Sequence, residues 1–182
     1  MGIRRVVVAV VFSVGCGVGV GQMTPAVAPA VAGQASVAAP VSPEKQIATM
    51  QAKLMDWAQL GHFKVANAAL AAPAAGEQRV VFFGDSITEL WGRRGNVFFP
   101  GKPYVNRGIS GQTTAQMVVR FHQDVVDLHP KVVIILAGTN DVAENTGPMT
   151  PEMTLDNFRA MVEMARANGI KVVVGSIPPA AV

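Results

Sequence analysis

Apolar residues along this chain fall into two kinds of run, and the two kinds alternate. Residues 80–83, 104–106, 131–137 and 170–175 are short and largely apolar without a period, the pattern of strands in a parallel sheet. Between them, apolar residues recur every three or four positions. Met117, Phe121, Val125 and Leu128 predict the buried face of one helix, opened by a Thr113–Gln116 capping box and stopped by Pro130. Leu155, Phe158, Val162 and Ala165 predict the inward face of another, opened at Thr150-Pro151 and ended at Gly169. Earlier in the chain, Ser42-Pro43-Glu44 reads as a capped helix start. Ile47, Met50, Leu54 and Trp57 follow at helical spacing, with Gly61 as the stop and His62 as a surface residue of the connection. A second break runs from Ala72-Pro73 to Glu77, and no internal repeat is present.

This alternation predicts an α/β fold, a three-layer α/β/α sandwich around a parallel sheet. The five consecutive apolar residues from Val132 to Leu136 predict a strand covered on both faces. Ligands of such sheets bind beyond the carboxyl ends of the strands. Three of the four strands end there in polar, glycine-containing turns: Gly84-Asp85-Ser86-Ile87-Thr88, Gly108-Ile109-Ser110-Gly111-Gln112-Thr113 and Gly138-Thr139-Asn140-Asp141. All three are expected to open on one rim.

The residue types name a chemistry. Ser86 falls at a strand-to-helix turn, where a helix N-terminus favours developing negative charge. A serine attacking an ester generates an oxyanion that needs donors fixed in advance. The candidates are the backbone N–H of Ser86, the backbone N–H of Gly111, where no side chain blocks close approach, and the uncharged side-chain amide of Asn140. A Gly-Asp-Ser triplet is also ordinary turn material, present by chance in roughly one chain in twenty of this length. The placement of all three turns after successive strands is what separates the two readings. A phosphate-binding loop at 108–113 is the competing reading, but the turn lacks the P-loop lysine and the third glycine of a dinucleotide fingerprint.

Composition changes the picture at the N-terminus. Arg4 and Arg5 precede an apolar run from Val6 to Val20 broken by Gly15, Gly17 and Gly19, the form of an export leader over residues 1–21. Cleavage is placed after Gly21 or as late as residue 32, and a retained membrane anchor is the alternative. The single cysteine, Cys16, lies in this leader, so it forms no internal disulfide; Ser13-Val14-Gly15-Cys16 is a candidate lipid-attachment signal with an atypical Ser13. Residues 22–42 read as an Ala/Pro-rich linker, 43–78 as a helical segment and 79–182 as the folded domain. Without the first 42 residues the formal charge falls from +3 to +1, and no basic block points to nucleic acid. The reading is an exported protein, periplasmic or extracellular, with no membrane span in its mature chain.

The runs VVFFGDSITELW, NRGISGQTT and ILAGTND resemble, in order, the first three blocks of the GDSL/SGNH hydrolases. They are similar in particular to secreted bacterial acylhydrolases and platelet-activating-factor acetylhydrolase catalytic subunits, over roughly residues 79 to 178. The resemblance implies a flavodoxin-like sheet, ester hydrolysis, and no metal or organic cofactor. It implies Ser86 as nucleophile, Gly111 and Asn140 as oxyanion donors, and Asp85 as a structural neighbour. The substrate it implies is a small-molecule or carbohydrate ester. Asp141 is read as a second structural residue near the site, Trp91 as a substrate-binding residue with core packing as its alternative, and Arg93 and Arg94 as candidates to line the pocket, with a solvated loop as the favoured alternative. Oligomeric state is not legible.

The family's fourth block, an Asp-x-x-His after the fifth strand, does not occur in these 182 residues. Asp127-Leu128-His129 has the wrong spacing and precedes the third strand, which places His129 roughly 20 Å from the Ser86 rim. His122 falls inside a helix and is expected to face solvent. The expectation is a truncated hydrolase domain lacking the last strand and helix, poorly active alone, because a positioned histidine contributes about 10²–10⁴-fold. The fourth strand is expected to present an open edge. A non-catalytic remnant that binds an acyl or carbohydrate ligand is the alternative.

Overall fold

The structure is a computed structural model that describes residues 41–91 and 98–176. The leader, Cys16, the linker up to residue 40, and Arg93 and Arg94 lie outside the described residues. In chain order the elements are α1 (Pro43–Met55), α2 (Lys64–Ala69), β1 (Val80–Gly84), α3 (Ser86–Leu90), β2 (Tyr104–Gly108), α4 (Thr114–Asp124), a 3-10 turn (Val126–Leu128), β3 (Val132–Leu136), α5 (Thr139–Val142), α6 (Pro151–Ala167) and β4 (Lys171–Val174).

The four strands form one parallel sheet in the order β2-β1-β3-β4, the start of the flavodoxin-like order. The fold is α/β, with helices flanking the sheet, as the alternation predicts. Gly84 pairs with Gly108 on one side and Leu136 on the other, so three strands end level. The turns that follow must therefore leave the sheet at the same rim.

One face of the sheet carries the core. Val81, Phe83, Val133 and Ile135 pack with Met117, Phe121 and Val125, and with Met161 and Ala165 of α6, all fully buried. The opposite face is covered in part. Phe82 meets the rings of Trp91, Phe98, Phe99 and Tyr104 at 5.0–5.6 Å, and α3 lies over β1 and β2. Ile134 and Leu136 are only half-buried there, so the expectation of β3 covered on both faces holds fully on one face alone. The close approach of α3 depends on Gly108: a Cβ there would stand 2.2 Å from the Glu89 backbone nitrogen. Asn106 secures the contact by donating from Nδ2 to Thr88 O at 2.6 Å.

Two helix expectations need correction. In α6 the inward stripe is Thr154, Asn157, Phe158, Met161 and Ala165, and Leu155 is 49% exposed. The first turn faces the polar rim, where Thr154 reaches Asp141 at 3.4 Å and Asn157 reaches Thr114 at 2.9 Å, so the apolar stripe starts one turn later. Helix α1 stops at Met55, short of Trp57 and Gly61, because the Asp56 carboxylate accepts the N–H groups of Leu60 and Gly61 and closes a turn. Its helically spaced apolar residues, Ile47, Met50 and Leu54, are exposed. The N-terminal segment is held instead through backbone carbonyls, with Gln116, Gln112 and Gln123 donating side-chain N–H to the oxygens of Trp57, Ala58 and Leu60 at 2.6, 3.0 and 2.8 Å.

At the centre of the molecule is a buried cation. The Arg120 guanidinium donates to Gln112 Oε1 (2.5 Å), Arg107 O (2.9 Å), Gly84 O (3.0 Å) and Asp124 Oδ2 (3.1 Å), and lies 4.1 Å over the Phe83 ring. Burial lowers its pKa to about 10, with Asp124 opposing the drop, so it stays charged at neutral pH. Arg120→Met leaves Asp124 buried without its cation and removes one donor each from Gln112 Oε1, Arg107 O and Gly84 O. The expected loss is about 3–5 kcal/mol in urea denaturation; a loss below about 1 kcal/mol contradicts this role.

Candidate active site

Ser86 opens α3 directly after β1 and is half-buried. Among the described residues, neither its hydroxyl nor its backbone N–H has an intramolecular partner. Asp85, just before it, is 1% exposed and caps the helix, accepting the Ile87 N–H on Oδ1 at 3.0 Å. Burial pushes the Asp85 pKa up, and the nearby Asp141 charge adds to the rise against the bonds that lower it.

The second turn passes over the first. Ile109 N donates to Gly84 O at 3.0 Å, and Ser110 donates its N–H to the Glu89 carboxylate at 2.6 Å and its hydroxyl to the same oxygen. Gly111 follows at φ +79°, a backbone state that costs other residues and that glycine adopts freely. It is exposed, and its N–H meets no acceptor among the described residues.

The third turn closes the group. Asn140 donates one Nδ2 hydrogen to Gln112 O at 2.9 Å, and its nitrogen stands 3.5 Å from Asp85 Oδ2, at the limit of a hydrogen bond. One amide hydrogen is thus committed and the other only weakly engaged. Asp141 is buried and accepts from Thr114, on both carboxylate oxygens from the N–H (3.0 and 3.2 Å) and on one from the hydroxyl. This ties the third turn to the start of α4. Hydrogen bonds thus link Asp85 to Asn140, Gly111 to Asn140 through Asn145, and Asp141 to the start of α4, and Ser86 follows Asp85 in the chain.

Asn145 carried no signal in the sequence, yet its Nδ2 donates to Gly111 O (3.2 Å) and Asn140 Oδ1 (2.9 Å). It bridges two donor-bearing residues and sets which way the Asn140 amide faces. Glu89 and Arg120 were likewise unmarked, since an acid and a cation on helices read as surface residues. Trp91 packs edge-on against Phe82, Phe98 and Phe99 while remaining 45% exposed. The histidines make contacts of their own. His62 meets Phe63 edge-to-face, His122 is exposed beside Asp127 at 3.1 Å, and His129 precedes β3 at the far end of the sheet. Among the described residues no cluster of three or more metal-ligating side chains occurs.

Residues 82–182 match the model of the GDSL-like Lipase/Acylhydrolase family, more than half of the chain. The chain belongs to this family. A GDSL-like lipase from Bacteroides thetaiotaomicron VPI-5482 is 50% identical at a TM-score of 0.65, over 68% of this chain and 60% of that one. A Bacteroides fragilis NCTC 9343 protein assigned as an acylhydrolase is 48% identical at a TM-score of 0.63, over 65% and 57%. The uncharacterized lipoprotein YqeF of Bacillus subtilis (strain 168) is 32% identical over 126 residues, 57% of this chain and 50% of that protein. The GDSL chain described here thus spans half to three-fifths of the length of these relatives.

The raised pKa of Asp85 gives a signed prediction for this GDSL turn. A carboxyl whose folded pKa is raised costs stability as pH climbs through the unfolded value, and costs none when protonated in both states. Asp85→Asn keeps an oxygen for the Ile87 N–H and removes the charge. Its effect on the thermal midpoint is expected to be more favourable at pH 7 than near pH 3; the reverse order contradicts the assignment.

Proposed function

We propose that this protein is a serine ester hydrolase in which Ser86 attacks the acyl carbon. The N–H groups of Ser86 and Gly111 and the weakly engaged Asn140 amide hydrogen receive the oxyanion. The single observation that carries this reading is that one hydroxyl and three donors without firm intramolecular partners sit on turns bonded to one another at one rim. Preorganised donors of this kind stabilise the tetrahedral intermediate without reorganising during the reaction. Asp85 and Asp141 act as positioning residues, one capping α3 and the other anchoring the third turn. Membership of the family supports the same reaction class.

Among the described residues no histidine hydrogen-bonds to Ser86; His122 lies beside Asp127, and His129 precedes β3 at the opposite end of the sheet. The 182 residues by themselves are expected to turn over p-nitrophenyl acetate near background. This same observation favours the second reading, a non-catalytic ligand-binding form. Imidazole in solution separates the two, because it can supply the missing base. Under the esterase reading it produces a protein-dependent rate, above that of imidazole alone, that disappears in Ser86→Ala and falls about 10²–10³-fold in Asn140→Ala. A rate above imidazole alone that is equal in wild type and Ser86→Ala overturns the nucleophile assignment.

We place the protein outside the cytoplasm. Arg4-Arg5 followed by the apolar run supports export, as does the likeness to a lipoprotein, and Cys16 is the one site available for thioether lipidation. No helix among the described residues is long and apolar enough to cross a membrane.

A further inference from the structure

The Gly111 turn has little to hold it from within. Its own closing bond, from Gln112 N to Ile109 O, is 3.4 Å long, near the limit of a hydrogen bond. Glu89 and Asn145 hold its exposed side, at Ser110 and Gly111. The buried side is held by the Gln112 side chain, which is fully enclosed. An arginine can only donate, so Gln112 turns Oε1 towards Arg120 and Nε2 away from it. Gln116 is oriented in the same sense, because its Oε1 accepts the Thr113 N–H. Both amides therefore need a carbonyl on the side of the N-terminal segment, since a buried donor left without an acceptor is costly.

Those carbonyls come from one short loop. Residues 56–61 follow α1, and the Asp56 side chain closes them on themselves: Oδ1 accepts the Leu60 N–H at 2.7 Å and Oδ2 the Gly61 N–H at 2.9 Å. Asp56 O also accepts the Gln59 N–H at 3.0 Å, and Gln59 takes φ +55° within the loop. Closed in this way, the loop meets Gln116, Gln112 and Gln123, which donate from Nε2 to Trp57 O (2.6 Å), Ala58 O (3.0 Å) and Leu60 O (2.8 Å). It lies ahead of residue 82, where the match to the family model begins. Gln112 passes the constraint on in two directions. It is covalently next to Gly111, and its backbone oxygen takes the committed amide hydrogen of Asn140 at 2.9 Å.

We propose that Asp56 is a positioning residue of the oxyanion site. By closing the 56–61 loop it seats Gln112, and through Gln112 it places the Gly111 N–H and the Asn140 amide. The assignment of these donors to an oxyanion rests on the esterase reading. The path from Asp56 to Gln112 rests on the hydrogen bonds alone.

Two measurements test this, and the second needs no hydrolysis. The first is the Ser86-dependent turnover of p-nitrophenyl acetate above that of imidazole alone, at a fixed imidazole concentration. Asp56→Ala is expected to lower kcat about tenfold to 10²-fold, up to the cost of a misplacement of about 1 Å. KM is expected to stay nearly constant, because oxyanion donors act in the transition state. Asp56→Asn keeps one acceptor oxygen and is expected to recover part of the rate. The second measurement follows the Gly111 N–H and the Asn140 side-chain amide of the unreacted chain by NMR. Both resonances are expected to move in Asp56→Ala, to move less in Asp56→Asn, and to stay in place in Ile47→Ala on the exposed side of α1. Resonances that stay in place in Asp56→Ala overturn the proposal. A loss carried by KM alone does so too, because Asp56 is then only a wall of the groove it lines. Global unfolding of both Asp56 variants, read from their thermal midpoints, also overturns it, since Asp56 then holds the fold and not the turn. If the resonances move as expected while wild type shows no Ser86-dependent rate, the path from Asp56 to the turn stands and the esterase reading falls.

Discussion

A single buried guanidinium holds the rim together. Arg120 takes the carbonyl of Gly84 at the end of β1, the carbonyl of Arg107 near the end of β2 and the side chain of Gln112 in the turn beyond. Two adjacent strand ends and the loop that carries Gly111 are thereby fixed to one planar group. Such a fork offers several donors at set angles, a geometry that an ammonium cannot reproduce. The cost of desolvating it is offset by Asp124, three further hydrogen bonds and the face of Phe83. Gln112 then hands its other amide end to Ala58, so the same centre also locates the N-terminal segment.

From this centre the site follows by short steps. Equal strand lengths bring Gly84, Gly108 and Leu136 level, and the turns that follow exchange hydrogen bonds directly. Glu89 draws the second turn onto α3, Asp141 draws the third onto α4, and Asn145 joins the second and third at the residues whose N–H groups matter. The donors assigned to the oxyanion are those left over after this bonding. A site built this way is rigid at its donors and open at its surface, which suits a reaction whose charge develops on one oxygen.

Much of this was legible in the sequence, and the parts that were not share a cause. The strand runs, the capping residues Ser42 and Thr150 and the three polar turns are local signals, and the structure shows each where the pattern places it. Arg120 and Asn145 act through partners 36 and 34 residues away, a relation that no local period records. The exposed stripe of α1 misleads for the opposite reason: helical spacing reports which residues share a face and not whether anything covers it. In α6 Phe158 and Ala165 face inward as the spacing predicts, while polar contacts at the rim replace Leu155 in the first turn and Met161 takes the core position assigned to Val162. Trp57 read as the end of that same apolar face and proved to line a groove.

The central claim is that donors from separate turns converge on one oxygen bonded through Ser86. It is tested most directly by a crystal structure of the chain after phosphonylation with imidazole as external base. The account predicts phosphorus on Ser86 Oγ, with its free oxygen within hydrogen-bond distance of Gly111 N and Asn140 Nδ2. A phosphonate attached elsewhere, or one on Ser86 whose oxygen meets neither group, contradicts it.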